Sequence, residues 1–232
     1  MALLTFENVT KVYGPTVALN NVSIEIQPGK IIGLLGPNGS GKTTMIKLIN
    51  GLLQANSGRV LINGQEPGPK SKAVVSYLPD TTYFNDDMTV DGAIQLFNDF
   101  YADFDESRAR TLLSELNIRN TTLMRQLSKG NKEKVQLILV MSRNAQLYVL
   151  DEPIAGVDPA ARDHILHTII NNYNENASVL ISTHLISDIE QILDEIIFLK
   201  NGEIVRHSNV DDIRIESGES IDRLFREEFR VK

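Results

Sequence analysis

Apolar and polar positions change rhythm several times along the chain. Between residues 3 and 29, short β-rich runs alternate with turn residues. The stretch Val17–Ile26 ends with Ile24 and Ile26 on one face and runs into the turn pair Pro28-Gly29. Ile31 to Leu35 is continuously apolar, the pattern of a strand covered on both faces. Residues from Gly36 to Gly41 break that run, and a helical pattern follows from Lys42 to Asn50. The order is strand, glycine loop, helix, the start of an α/β layout. Leu96, Phe97, Phe100, Tyr101 and Phe104, then Leu112, Leu113 and Leu116, recur at helical spacing. The whole of 81–141 therefore reads as helical.

Leu147–Leu150 and Val179–Ser182 return to buried-strand patterns. A helix is predicted between them from Pro159 to Tyr173, with Pro159 suited to its first turn. Lys200-Asn201-Gly202-Glu203 is a type I′ hairpin signal between two apolar runs. Ile221, Leu224, Phe225 and Phe229 give a one-sided helix, expected to pack on its own domain.

Composition narrows the field further. The 232 residues are 42 % hydrophobic and 23 % charged, enough apolar material for a core and against extended disorder. With 23 basic and 30 acidic residues the net charge is −7, so a global basic field for nucleic acid is absent and no nucleic-acid partner is expected. The chain has no cysteine, which removes disulfides, Cys-ligated zinc, iron–sulfur clusters and thiol chemistry. No stretch approaches the roughly 18 to 20 apolar residues of a membrane helix, and the first residues lack the layout of a signal peptide. A cytoplasmic protein is expected, one that borrows any membrane part from another chain.

Gly36-Pro37-Asn38-Gly39-Ser40-Gly41-Lys42-Thr43-Thr44 satisfies the pattern G-x-x-x-x-G-K-[ST]. Glycines let successive backbone N–H groups turn toward one concave point, where side chains would block a phosphate. The helix that follows adds its own N-terminal N–H groups. Lys42 offers a point charge to the β- and γ-phosphates, and the Thr43 hydroxyl a Mg²⁺ ligand. No Asn-Lys-x-Asp string reads guanine; the nearest, Asn131-Lys132-Glu133-Lys134, lacks the aspartate, which favours adenine. Leu147-Tyr148-Val149-Leu150-Asp151-Glu152 is an apolar strand ending in two acids, at the kind of strand end where open α/β sheets place ligands. Asp151 is placed to hold Mg²⁺ through water, and Glu152 to polarise the water that attacks the γ-phosphate.

With those elements in hand, the sequence resembles the nucleotide-binding subunits of ABC transporters over nearly its whole length. Leu127-Ser128-Lys129-Gly130-Asn131 is similar to that family's signature Leu-Ser-Gly-Gly-Gln and sits shortly before Asp151-Glu152. His184 matches the switch histidine, Ile154-Ala155-Gly156-Val157-Asp158 the D-loop, and Tyr13 the aromatic that stacks on adenine. The resemblance implies a P-loop NTPase fold, an α/β core with an N-terminal antiparallel β subdomain and an inserted helical subdomain. On that scheme 1–79 and 146–205 form the core, 80–145 the helical subdomain and 206–232 a helical tail.

The resemblance also implies ATP and Mg²⁺ as cofactors and hydrolysis of ATP to ADP and phosphate. A head-to-tail pair of such chains, a homodimer in the simplest reading, would enclose two ATP molecules. Each would lie between Gly36–Thr44 of one chain and Ser128, Lys129, Gly130 and Asn131 of the other. His184 would orient the attacking water with Glu152, and dimer closure would drive separate transmembrane subunits from the inner face of the cell membrane. The alternative within the family is a soluble ATPase acting on a non-membrane target.

Two departures matter. The family's Q-loop glutamine is expected after Tyr77-Leu78-Pro79, where this chain has Asp80, one methylene shorter, charged, and able to bind Mg²⁺ but not to donate an amide hydrogen bond. Lys129 and Asn131 replace glycine and glutamine in the signature. Both features resemble bacterial ATPases of antibiotic and cytolytic-peptide export, including the phenol-soluble modulin type, which implies export of peptides or antimicrobials. The stripe Phe97, Phe100, Tyr101 and Phe104 reads as core first and as a groove for a membrane-subunit helix second. Tyr83 and Phe84 are the better groove candidates.

Overall fold

The computed structural model describes residues 2–155, 157, 159–174 and 176–230. Two sheets organise it. In the first, β1 (Leu4–Tyr13) lies between β2 (Thr16–Ile26) and β4 (Ser57–Ile62), all antiparallel. The second sheet contains β3 (Ile31–Leu35), β5 (Val75–Leu78), β6 (Leu147–Asp151), β7 (Ser178–Thr183), β8 (Glu195–Lys200) and β9 (Glu203–Asn209). Its order is β5-β6-β7-β3-β8-β9, and only the pairing of β8 with β9 is antiparallel. The parallel strands therefore bring their C-terminal ends to one edge.

The continuous apolar runs have the predicted cause. Every residue of β3, β6 and β7 is buried. Ile32, Leu34, Leu147, Val149 and Leu180 face one hydrophobic cluster, shared with the antiparallel sheet and with α1 (Lys42–Ile49). Ile31, Leu35, Tyr148, Leu150, Val179 and Ile181 face a second cluster, built with the helices on the other side. Each such side chain contributes about 1.5–3 kcal/mol on burial, so both faces are committed and the register cannot slip.

The other helices are α2 (Pro69–Lys72), α3 (Val90–Phe100), α4 (Glu106–Glu115), α5 (Lys129–Met141), α6 (Pro159–Asn172), α7 (Ile186–Ile189), α8 (Val210–Ser217) and α9 (Ile221–Glu228). The reading of 81–141 as helical throughout needs correction. Residues 81–89 and 101–105 carry no helix, and 116–128 hold one 3-10 turn at Met124–Gln126. Local polar chemistry explains the first and last of these breaks. Asn85 turns its side chain onto the Asp87 N–H, and Asn117 takes a left-handed φ of 56° just past α4. Thr89, Asp105 and Ser128 then restart helices by capping Gly92, Arg108 and Asn131.

One buried cation fastens these helices to the sheet. Arg143 is 1 % exposed; it pairs with Asp103 at 3.0 Å and donates to the carbonyls of Val75 and Ala73 at 2.6 and 3.0 Å. Its guanidinium also lies 3.8 Å from the Tyr101 ring centroid. With its donors engaged the charge is tolerated; removing Asp103 would strand it. The aromatic stripe divides in consequence. Phe97 and Phe104 are buried, whereas Phe100 is 75 % exposed.

At the other end of the chain the two-residue turn is as expected, Asn201 and Gly202 having φ of 50° and 80°. In the tail, Phe225 and Phe229 pack on Phe198 with centroids 5.5 and 5.7 Å apart, so α9 covers its own domain.

Candidate functional site

Because β3, β5, β6 and β7 run parallel, the residues just beyond their C-terminal ends converge. The glycine loop follows β3, Asp80 follows β5, Asp151 and Glu152 end β6, and His184 follows β7. This is the edge at which the sheet order turns from β7 to β3, the geometry that opens a ligand crevice.

The loop is held by its surroundings. A Cβ on Gly36 would meet the Leu199 carbonyl at 2.4 Å, and one on Gly41, with φ of 111°, would meet the Ala18 carbonyl at 2.5 Å. Gly39 has φ of 81° and faces open space, as do the exposed Pro37 and Asn38. Gly41 also serves as the N-cap of α1 without a side chain to offer, which leaves that helix's first N–H groups for something else. Lys42 is 7 % exposed and folds back over the loop, donating to the carbonyls of Gly36 and Pro37 at 2.7 and 3.3 Å. Burial holds its ammonium below the usual lysine range, with the Glu152 and Asp151 carboxylates pulling it back up. The Ser40 hydroxyl is buried with no partner, and Thr43 and Thr44 sit half-buried in the first turn.

Across from the loop, Asp151 is 1 % exposed. Burial raises its carboxyl above the ordinary range against the opposing hydrogen bond from Ser182, and Asp80 and Glu152 raise it further. The Ser182 hydroxyl donates to Asp151 Oδ1, while Oδ2 has no partner. Glu152 adopts φ of 51°, a left-handed conformation that costs a glutamate about 1–2 kcal/mol. Its N–H is held by the Ser182 carbonyl at 3.0 Å, and its Oε2 meets His184 Nδ1 at 3.0 Å. Ser182 thus fixes both acids, a role the sequence reading missed; its signal was a hydroxyl residue closing an otherwise apolar buried run.

Oxygen donors of this kind suit a hard cation. Asp151 Oδ2 is unpartnered, the Thr43 hydroxyl is near enough to perturb Asp151, and Asp80 is exposed on the same side. Among the described residues no ready-made cluster of three or more ligating side chains exists. That is the donor set expected for Mg²⁺ shared with phosphates rather than caged by protein.

Other expected residues lie farther out. Tyr13 ends β1 and is 44 % exposed, with Lys11 Nζ 5.3 Å from its ring centroid. Ser128, Lys129, Gly130 and Asn131 open α5; Lys129 is 82 % exposed and 3.8 Å from Glu133. Among the described residues, no hydrogen bond joins this segment to the glycine loop of the same chain. Gly156 and Asp158 lie outside the described residues. Tyr83 and Phe84 stack on one another at 4.6 Å, and Phe84 packs on toward Phe97. A recess of about 550 Å³ lies away from this pair, lined by Leu52, Lys72, Val75, Tyr77, Phe100 and Arg143 among others. Leu52 and Phe100 are exposed on it.

Comparison with known proteins agrees with this geometry. Residues 19–155 match the family described as ABC transporter. The ABC transporter ATP-binding protein YtrB of Bacillus subtilis is 33 % identical over 217 residues, covering 92 % of this chain and 74 % of that protein. The SkfA peptide export ATP-binding protein SkfE of the same species is 30 % identical over 213 residues, 89 % of each. Among solved structures, an ATP-binding subunit of an ABC transporter superposes with a TM-score of 0.89 at 30 % identity, over 98 % of this chain and all of that one. Among the described residues no helix is long and apolar enough to cross a membrane.

Proposed function

This chain belongs to the ABC transporter family as an ATP-binding subunit, and from that premise we propose how its residues hydrolyse ATP and transmit the result. The observation that carries the reading is the convergence of Lys42, Asp151 and the Glu152–His184 pair on one sheet edge. The free first-turn N–H groups of α1 and the loop backbone cradle the phosphates, and Lys42 turns from the loop carbonyls to the β- and γ-phosphates. Thr43, Asp151 and Asp80 hold Mg²⁺, which when bound neutralises charge on the phosphate oxygens. Glu152 accepts a proton from the attacking water, and His184, 3.0 Å from its carboxylate, fixes the orientation of both. Tyr13 stacks on adenine.

Ser128, Lys129, Gly130 and Asn131 contact the ATP of a second copy, consistent with the exposure of Ser128 and Lys129 and with the lack, among the described residues, of a hydrogen bond from the segment to its own glycine loop. Asp158 belongs to the same interface. The groove beside Leu52 and Phe100 receives an apolar helix of a separate transmembrane subunit, which places the chain on the inner face of the membrane. The substrates we assign are peptides or antimicrobials moved outward, supported by the likeness to SkfE.

The test is direct. Glu152→Gln keeps ATP affinity but lowers turnover by about 10²–10⁴-fold, the range for loss of a general base, while Lys42→Ala loses ATP binding. Turnover close to that of the parent in Glu152→Gln reassigns the base.

A further inference from the structure

Gln136 interrupts the apolar run of α5 and is 2 % exposed. A carboxamide so deep needs a reason, since burying one without partners costs about 1–3 kcal/mol. Its Nε2 donates to the Thr81 carbonyl at 3.3 Å and approaches the Pro79 carbonyl at 3.5 Å. The amide therefore straddles Asp80, the position where the family resemblance leads one to expect a glutamine. Its Oε1 is buried with no partner, and so is Asp151 Oδ2. Both residues line one recess of about 30 Å³ together with Asp80, Glu133 and Glu152. Two acceptors cannot satisfy each other. That space can hold a water molecule, and a water placed between the two acceptors would donate to both.

We propose that Gln136 is a positioning residue for ATP hydrolysis, supplying from α5 the carboxamide that the chain lacks at Asp80. Its N–H groups hold the Pro79–Thr81 segment over the recess, and its carbonyl oxygen, with Asp151 Oδ2, orients a water beside Glu152. The amide's neutrality matters, because Asp80, Glu133, Asp151 and Glu152 already surround that space with carboxylates. The geometry also ties the helix that begins with Ser128 to the strand end that carries Asp80. This inference rests on the ATPase reading above.

The experiment compares four full-length chains: parent, Gln136→Met, Gln136→Asn and Lys42→Ala. Methionine keeps the length and volume of glutamine but offers no amide. Gln136→Met is expected to lower kcat about tenfold or more while KM for ATP moves less than about threefold. Gln136→Asn, which keeps an amide one methylene shorter, is expected to retain a kcat at least about threefold above that of Gln136→Met, a rescue that a merely structural role would not allow. A kcat for Gln136→Met within about twofold of the parent, or a Gln136→Asn variant no better than Gln136→Met, overturns the proposal. Hydrogen exchange of residues 78–84 in the nucleotide-free chains gives the second readout. It speeds about tenfold in Gln136→Met if the clamp exists, and equal exchange rates overturn the clamp even if turnover falls. Turnover that is absent in the parent, or that survives Lys42→Ala, removes the ATPase reading instead, and exchange then judges the clamp alone.

Discussion

Two helix N-termini in this molecule are offered to phosphate in our reading, and they are built in opposite ways. Before α1 the chain is pinned: Gly36 and Gly41 abut the carbonyls of Leu199 and Ala18, and Lys42 is folded inward. Before α5 the chain is open: Ser128 caps its own helix, Lys129 reaches into solvent, and a Cβ on Gly130 would meet nothing within 4 Å. A site that must hold its own nucleotide is preformed by the core. A site that must meet another chain's nucleotide needs exposure, and its local rigidity comes from its cap alone. The contrast lies on the link between packing and function, and it can be attacked.

The sharpest attack is a paired glycine substitution. Gly41→Ala forces a Cβ into the Ala18 carbonyl at a φ of 111°, and is expected to cost at least the 1–2 kcal/mol, roughly, of a left-handed non-glycine residue. It should also lower ATP affinity more than about tenfold, read by nucleotide titration with a thermal melt alongside. Gly130→Ala, in the open helix, should raise stability by about 0.5–1 kcal/mol and leave single-chain ATP affinity unchanged. Equal effects of the two would dissolve the comparison.

A middle-sized effect is expected at Asp151. Its carboxyl is raised chiefly by burial, so the charged form destabilises the folded chain at neutral pH. Asp151→Asn should therefore raise the melting midpoint without nucleotide, by about 2–4 °C for each kcal/mol relieved, while turnover collapses. The sign follows from linkage. Protonation is favoured more in the folded state than in the unfolded one, so the gap between variant and parent closes as pH falls through the raised pKa. Melts between pH 7 and pH 4 in which the gap widens would contradict it.

The smallest effect lies on the open side. In a Glu152→Gln background, Lys129→Gly should weaken ATP-dependent dimerisation by about two- to fivefold at low salt, the reach of one exposed charge. Sedentary dimer affinity across that substitution, measured by sedimentation, would make Lys129 a solvated bystander.

The sequence was most legible where backbone and periodicity speak together. Ile31–Leu35, the glycine loop and Lys42–Ile49 follow from apolar runs and from the spacing of glycines, and the Asn201-Gly202 turn from the residues that tolerate positive φ. It was less legible between 81 and 128, where helical spacing of leucines and aromatics hid turns made by Asn85 and Asn117, whose side chains compete with the helix. Phe97 and Phe100 show the same limit: three residues apart on one helix, one is buried and the other exposed. Residues that act through others, Ser182 and Gln136, left only the faint signal of a polar side chain inside an apolar run. Their partners at 151 and 79–81 are distant in the chain.

The turn at Asn201-Gly202 bears on how the molecule is made. Its Gly202 N–H donates to the Ser40 carbonyl, its carbonyl accepts from Asn20, and β3 lies between β7 and β8. The phosphate loop leaves the ribosome well before β7, β8 and the turn that brace it. At about 5–20 residues per second, that interval lasts on the order of ten seconds or more. A nascent chain arrested near residue 150 is thus expected to ignore nucleotide, and ATP becomes a ligand only once β7, β8 and the Asn201-Gly202 turn have been made.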